Sequence, residues 1–345
     1  MGMRFRDCTA RLGLAAVLAM LATSAVLAQQ PSTHFAVLDR IPGPDGGWDY
    51  ATIDAAARRL YLGRDAGVLT MDLETRNITA VAVPGEGVHG ATLVGDTGLV
   101  VSTNGDSNTV TVFEGATNKV VGTVKVGKNP DASVYDPTTR LVAVMNHSGG
   151  TVSLVDPAKL KVVRTIVVGG ELEAGAAGLH GELFVNVASR HQVAVLSLSA
   201  GKVQRRMNLQ GCEDPSGIAY DAGDDLVASV CGNGVTKILR AKDGHELASL
   251  KTGFGSDGLI YDQSRKLLFV PAAKEGTLSV IALSANKPPV LVETAKTAPG
   301  ARLGALDTRT GRLYLPMAKL GPPIPPDPWP SVVPNTFAIL VVGPQ

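Results

Sequence analysis

Four residues that could share one metal ion lie far apart along the chain: Asp49, His89, Asp131 and Glu173. Carboxylates joined by an imidazole suit Zn2+ or Mn2+, and Ca2+ where water completes the shell. The same neighbourhood could also do acid–base work. His89 or His147 would serve as general base while Arg302 or Lys274 steadies an oxyanion, as lactone hydrolysis or a lyase reaction requires. No His-Glu-x-x-His run ties such residues together locally, so the chemistry depends on the fold gathering them. Other chemistries lack their motifs: there is no Cys-x-x-Cys-His for covalent haem, no Walker A loop and no Gly-x-Ser-x-Gly elbow.

The gathering is supplied by a repeat. A short apolar stretch ends in an Asp-containing turn at Asp49–Asp54, Asp131–Asp136, Ser216–Asp221, Asp257–Asp262 and Arg302–Asp307, with degenerate copies ending at Gly95 and Gly178. The seven turn positions are spaced by 41, 41, 42, 43, 41 and 45 residues, too regular for an array of sandwiches. Within each unit, β-branched runs such as Leu141–Met145, Thr151–Val155 and Val162–Val168 are separated by turn residues, giving four strands. Seven four-stranded units predict an all-β, seven-bladed propeller, because a lone blade cannot cover both of its apolar faces. The seventh unit ends after its third strand, and the segment Phe35–Ile41 precedes the first turn at the distance kept by every fourth strand. Pairing that segment into the last blade would close the ring and remove two open edges. One domain over residues 29–345 is expected.

Val101–Glu114, with Thr117–Gly127 and Asn129-Pro-Asp131 after it, resembles the repeat of the YVTN-type propellers, and the likeness extends from about residue 35 to residue 343. It resembles in particular the YncE-like exported members. The resemblance implies a seven-bladed propeller in a bacterial periplasm or outside the cell. It says little about chemistry, since some relatives are associated with quinoprotein or metal metabolism and others bind partners.

Export is also written at the N-terminus. Arg4, Arg6 and Arg11 precede an apolar run from Leu12 to Leu27 that ends in Val26-Leu27-Ala28, the pattern of a signal peptide cleaved after Ala28. Cleavage removes those three Arg and Asp7, taking the formal charge from +1 to −1, and leaves no membrane span. A near-neutral chain without a Lys/Arg stripe is not built for nucleic acid. Cys8 leaves with the leader; Cys212 and Cys231 remain, an even pair in an oxidising compartment, and a disulfide between them is predicted. Hydrophobic residues at 45% with 39 Gly and few aromatics exclude a disordered chain and an ordinary helical one.

Propeller register puts the loops entering each first strand, and those joining second to third strands, on one face. The entry loops carry Trp48-Asp49, His89, Asp131, Glu173, Ser216, Asp257 and Arg302; the outer loops carry Asn104, His147, His191, Cys231 and Lys274. His180 and His245 fall on the opposite face. Recurrence of Asp or Ser five positions before the turn fits a backbone cap at Asp49, Asp131, Ser216 and Asp257, whereas the symmetry-breaking residues fit a ligand. The predicted ligand set is Trp48, His89, Asn104, His147, Glu173, His191, Lys274, Arg302 and Trp329. Trp329 belongs to a stretch with seven Pro between Pro322 and Pro334, read as a polyproline-like excursion on the same face. The leading expectation is a monomeric, non-catalytic propeller that takes a protein partner or small ligand at the mouth, without an obligatory cofactor. The alternative is a metal-assisted hydrolase or lyase centred on Asp49, His89, Asp131 and Glu173, for which a divalent metal would be the cofactor.

Overall fold

The computed structural model describes residues 1–2, 34–284, 287–324 and 330–345. The predicted leader, with Cys8, and the side chain of Trp329 lie outside the described residues. The compact unit Ser32–Gln345 is an all-β propeller of seven four-stranded antiparallel blades. Blade 3 is representative, with strands Pro130–Asp136, Leu141–Asn146, Thr151–Asp156 and Lys161–Val167 paired in chain order. Among the described residues no helix is long and apolar enough to cross a membrane.

Burial is graded from hub to rim. First strands of neighbouring blades adjoin one another around the axis, second and third strands are almost wholly buried, and fourth strands face solvent. The apolar side chains form seven clusters among the described residues, one for each junction between adjacent blades. That is what a sheet with two apolar faces demands: each blade covers its neighbour.

The ring closes as the sequence predicts. Ala305–Asp307, Arg312–Met317 and Ala338–Pro344 form three strands of blade 7, and Phe35–Pro42 supplies the fourth by pairing with Ala338–Pro344. Phe35 is buried against Phe269 of blade 6, with ring centroids 5.0 Å apart, and its backbone N–H donates to Glu293. On the face opposite the mouth, Arg58 of blade 1 donates to the fully buried Asp307 of blade 7 at 2.7 Å.

The turn aspartates do local work. Asp54, Asp136, Asp221, Asp262 and Asp307 each accept a backbone N–H two or three residues later. One residue in each of these hairpins takes the left-handed conformation, for example Arg58, Arg140, Asp225 and Lys266. Glycine takes that place in blade 7, at Gly311, and in the two units that lack the Asp, at Gly98 and Gly181.

The proline-rich insertion departs from expectation. It replaces a second-to-third loop, as predicted, but instead of a polyproline excursion Leu320–Pro323 and Pro330–Val332 pair as a two-stranded ribbon. Proline's fixed φ is compatible with an extended edge, and Val333 N–H and the Ser331 hydroxyl supply bonds that the prolines cannot donate.

Candidate metal centre at the channel mouth

The entry of each first strand aims the side chains inward by a defect in pairing. In blades 2 to 5 the register of first against second strand slips at Val88/Ala91, Pro130/Ser133, Leu172/Gly175 and Pro215/Ile218. Each slip leaves two residues out of the ladder, and these include His89, Asp131 and Glu173. A bulge bends the strand and re-aims its side chains. These three candidate ligands therefore stand on bulges at the channel rim, whereas Asp49 lies just before the strand Ala51–Asp54. Gly63 permits this at blade 2, because a Cβ there would fall 2.0 Å from the His89 carbonyl oxygen.

The resulting chain of contacts crosses four blades. His89 Nδ1 lies 2.8 Å from Asp49 Oδ2 and 3.2 Å from Asp131 Oδ1. His147 Nδ1 lies 3.1 Å from Glu173 Oε1 and 3.0 Å from the Leu172 carbonyl oxygen. Asp49, His89 and Asp131 form one trio whose ligand atoms lie within 4.8 Å of one another, and Asp131, His147 and Glu173 form a second. Asp131 is common to both and is buried. Tyr50 donates its hydroxyl to Asp131 Oδ2 at 3.5 Å from the wall of a channel cavity of about 190 Å3.

Across the mouth, Arg302 pairs with Asp257 at 3.0 Å and donates to the Trp48 carbonyl at 2.7 Å. Four carboxylates thus face one permanent cation and two imidazoles. The electrostatics reflect that excess. Burial opposes protonation of His89, but the Asp49 hydrogen bond and the charges of Asp131 and Asp49 override it and raise its pKa to about 9. For His147 the hydrogen bond to Glu173 dominates over burial and also raises the pKa to about 9. Burial, with the Asp49 charge behind it, pushes Asp131 well above the usual carboxylate range. The same two causes bring Asp257 up to about 7 despite Arg302. Burial and then the Asp131 charge raise the Tyr50 phenol. A cluster that must borrow protons to offset its carboxylates is one that a cation would complete.

The structure sorts the predicted residues. Asp49, His89, Asp131 and Glu173 share the mouth, and His147, expected in an outer ring, reaches inward to join them. Arg302 lies at the same rim. Trp48 is corrected: it does not present an apolar contact but is 5% exposed, wedged between blades 7 and 1 against Phe337, with Arg302 stacked over its ring. Asn104 is corrected too, since it is buried and its amide donates to the Thr109 and Thr111 hydroxyls, as Asn146 does to Thr151 and Ser153 in the next blade. His191 lies apart from the acidic chain, in an outer groove beside Cys212, and Lys274 sits over the exposed Phe254 ring. The disulfide joins Cys212 and Cys231, with Cα atoms 5.3 Å apart.

The capping of backbone N–H groups expected of the recurrent entry residues is not what these side chains do: the Ser216 hydroxyl donates to the Ser256 carbonyl of the next blade, and Asp49, Asp131 and Asp257 engage the His89 and Arg302 side chains. Sequence reasoning missed Tyr50. Its signal was available: four positions before the turn the other six units carry Ala, Gly or Leu, and only this one carries an aromatic ring. The run Gly85–Gly90 spells Gly-x-Gly-x-x-Gly, yet it leads into the strand Val88–Leu93, so the helix N-terminus that such a loop needs is not there.

No protein-family model matches the chain, and no curated protein matches it. Solved structures do. The chain is similar in fold to Kuenenia stuttgartiensis hydrazine synthase, at 15% identity and a TM-score of 0.69 over 87% of this chain and 95% of that one. It is similar to U3-55K at 11% identity and a TM-score of 0.73, over 90% and 99% of the two chains. A chain of a mitotic checkpoint complex matches at 11% identity and a TM-score of 0.70, over 98% and 99%. At these identities the likeness is one of fold alone.

Proposed function

We propose that the mouth of this propeller binds a divalent cation and supports metal-assisted hydrolysis or elimination on a small polar substrate. One observation carries the reading: at the mouth, two trios that share Asp131 each bring two carboxylates and an imidazole within the span of a coordination shell. The reading of a non-catalytic mouth that takes a partner or small ligand loses one of its two apolar contacts with the burial of Trp48. Asp49, His89 and Asp131, or Asp131, His147 and Glu173, would hold the ion, donor sets suited to Zn2+ or Mn2+. When bound, such an ion lowers the pKa of water and polarises a substrate oxygen. Tyr50 holds Asp131 in place from below, and Arg302, about a third exposed, presents positive charge to an anionic group entering the mouth.

The resemblance to YncE-like propellers and the leader pattern support work in the periplasm or outside the cell, after cleavage following Ala28. The disulfide agrees with that setting. Elemental analysis and Mn2+ titration of the mature protein test the proposal. Stoichiometric metal that is lost in His89→Ala supports it; a wild-type protein that takes up no Zn2+, Mn2+ or Ca2+ at millimolar concentration overturns it.

A further inference from the structure

The acidic chain at the mouth contains two trios, not one, and they meet at a single residue. Asp49, His89 and Asp131 satisfy the span of one coordination shell; Asp131, His147 and Glu173 satisfy that of another. Each imidazole has its own carboxylate partner, His89 with Asp49 at 2.8 Å and His147 with Glu173 at 3.1 Å. A single ion seated in either trio leaves the other imidazole–carboxylate pair without a role. Asp131 has two oxygens, and its position between the pairs is fixed by burial and by the Tyr50 hydroxyl beneath it.

We infer that the mouth holds two divalent cations, one in each trio, with the Asp131 carboxylate bridging them. This rests on the cation reading above and goes further in number and arrangement. Charge allows it: the three ligand carboxylates carry −3, so one divalent ion leaves the set at −1 and two bring it to +1. Each trio contributes three protein ligands, the number typical of catalytic sites that keep a position open for water or substrate. Paired ions sharing a carboxylate lie about 3.5–4 Å apart and clamp the attacking and leaving oxygens of a displacement together. Asp131 is then a bridging ligand rather than one of four around a lone ion.

Titration of the chelator-treated mature protein with Mn2+, followed by calorimetry and electron paramagnetic resonance, tests this. The expected result is two Mn2+ per chain and the broadened spectrum of exchange-coupled ions. Asp49→Asn and Glu173→Gln disable one trio each, and each variant is expected to keep one Mn2+ with an uncoupled six-line spectrum. One Mn2+ per wild-type chain with that six-line spectrum overturns the two-ion arrangement and leaves the cation site standing. No Mn2+, Zn2+ or Ca2+ bound overturns both. The wild-type stoichiometry and coupling decide the matter even if a variant fails to fold.

Discussion

At the scale of single residues, protons on His89 and His147 offset the carboxylates of the mouth. His89 and His147 keep their protons up to about pH 9 in the folded protein, while an unfolded chain releases them near 6.5. Stability from these protons is complete below the unfolded value and is lost as pH rises through the folded one. Asp257, raised to about 7, adds a loss of the same sign at lower pH. The melting temperature of the chelator-treated protein is therefore expected to fall between about pH 6 and about pH 9.5. Saturating Mn2+ should flatten that fall, because the ion replaces the protons. A melting temperature that holds or rises across the range without metal contradicts this account.

Gly105 offers a second residue-level test. A Cβ at this position would stand 2.6 Å from His89 Nε2, so Gly105→Ala forces the imidazole out of its present position between Asp49 and Asp131. Supporting groups of this kind are worth about 10–100-fold in metal affinity, and calorimetry should show a loss of that size with little change in melting temperature. Unchanged affinity would mean that His89 is not a ligand. The carboxylates and His89 were legible because repeat register alone places them at the rim. His147 was not placed with them, since register says where a loop emerges and not how far an imidazole leans toward the neighbouring blade. Asn104 misled because a polar residue closing a strand looks like a rim group. Its counterpart Asn146, one unit later, held the hint that a repeated residue serves the repeat.

At the scale of elements, bulges carry His89, Asp131 and Glu173, while Asp49 and His147 come from loops. The slips at Val88/Ala91, Pro130/Ser133 and Leu172/Gly175 were invisible in the sequence, because a bulge follows from competition between ladder pairing and the crowding of first strands at the hub. Strand number and order were visible, since four β-branched runs between turn residues leave few alternatives. The proline ribbon was not, because proline content reports backbone φ and not the partner that a strand finds. In blade 5 the disulfide ties the entry loop to the end of the second strand, closing a loop with sequence separation 19. A Cys212→Ser, Cys231→Ser double variant is expected to lose about 3 kcal/mol in denaturant unfolding. Mn2+ stoichiometry should stay as in wild type, since the cation ligands come from blades 1 to 4. A loss under about 0.5 kcal/mol would show that the cross-link adds nothing to the blade.

At the scale of the whole molecule, function depends on the ring staying shut. Asp49 and Asp131, from blades 1 and 3, stay within the span of one coordination shell only while seven blades hold their angles. The latch is the N-terminal strand, anchored by Phe35 in the junction between blades 6 and 7. Phe35→Ala is expected to cost about 3–5 kcal/mol, as for other fully buried aromatics, and to weaken Mn2+ binding although Phe35 touches no ligand. A stability change below about 1 kcal/mol would mean that the closure seen here does not hold the ring.

The most direct test of the central claim is anomalous diffraction from crystals of the mature protein grown with Mn2+. The account predicts a peak at the channel mouth about 2.0–2.3 Å from His89 Nδ1 and from oxygens of Asp49 and Asp131. Peaks found only elsewhere, with His89 still hydrogen-bonded to Asp49 at saturating metal, would contradict it.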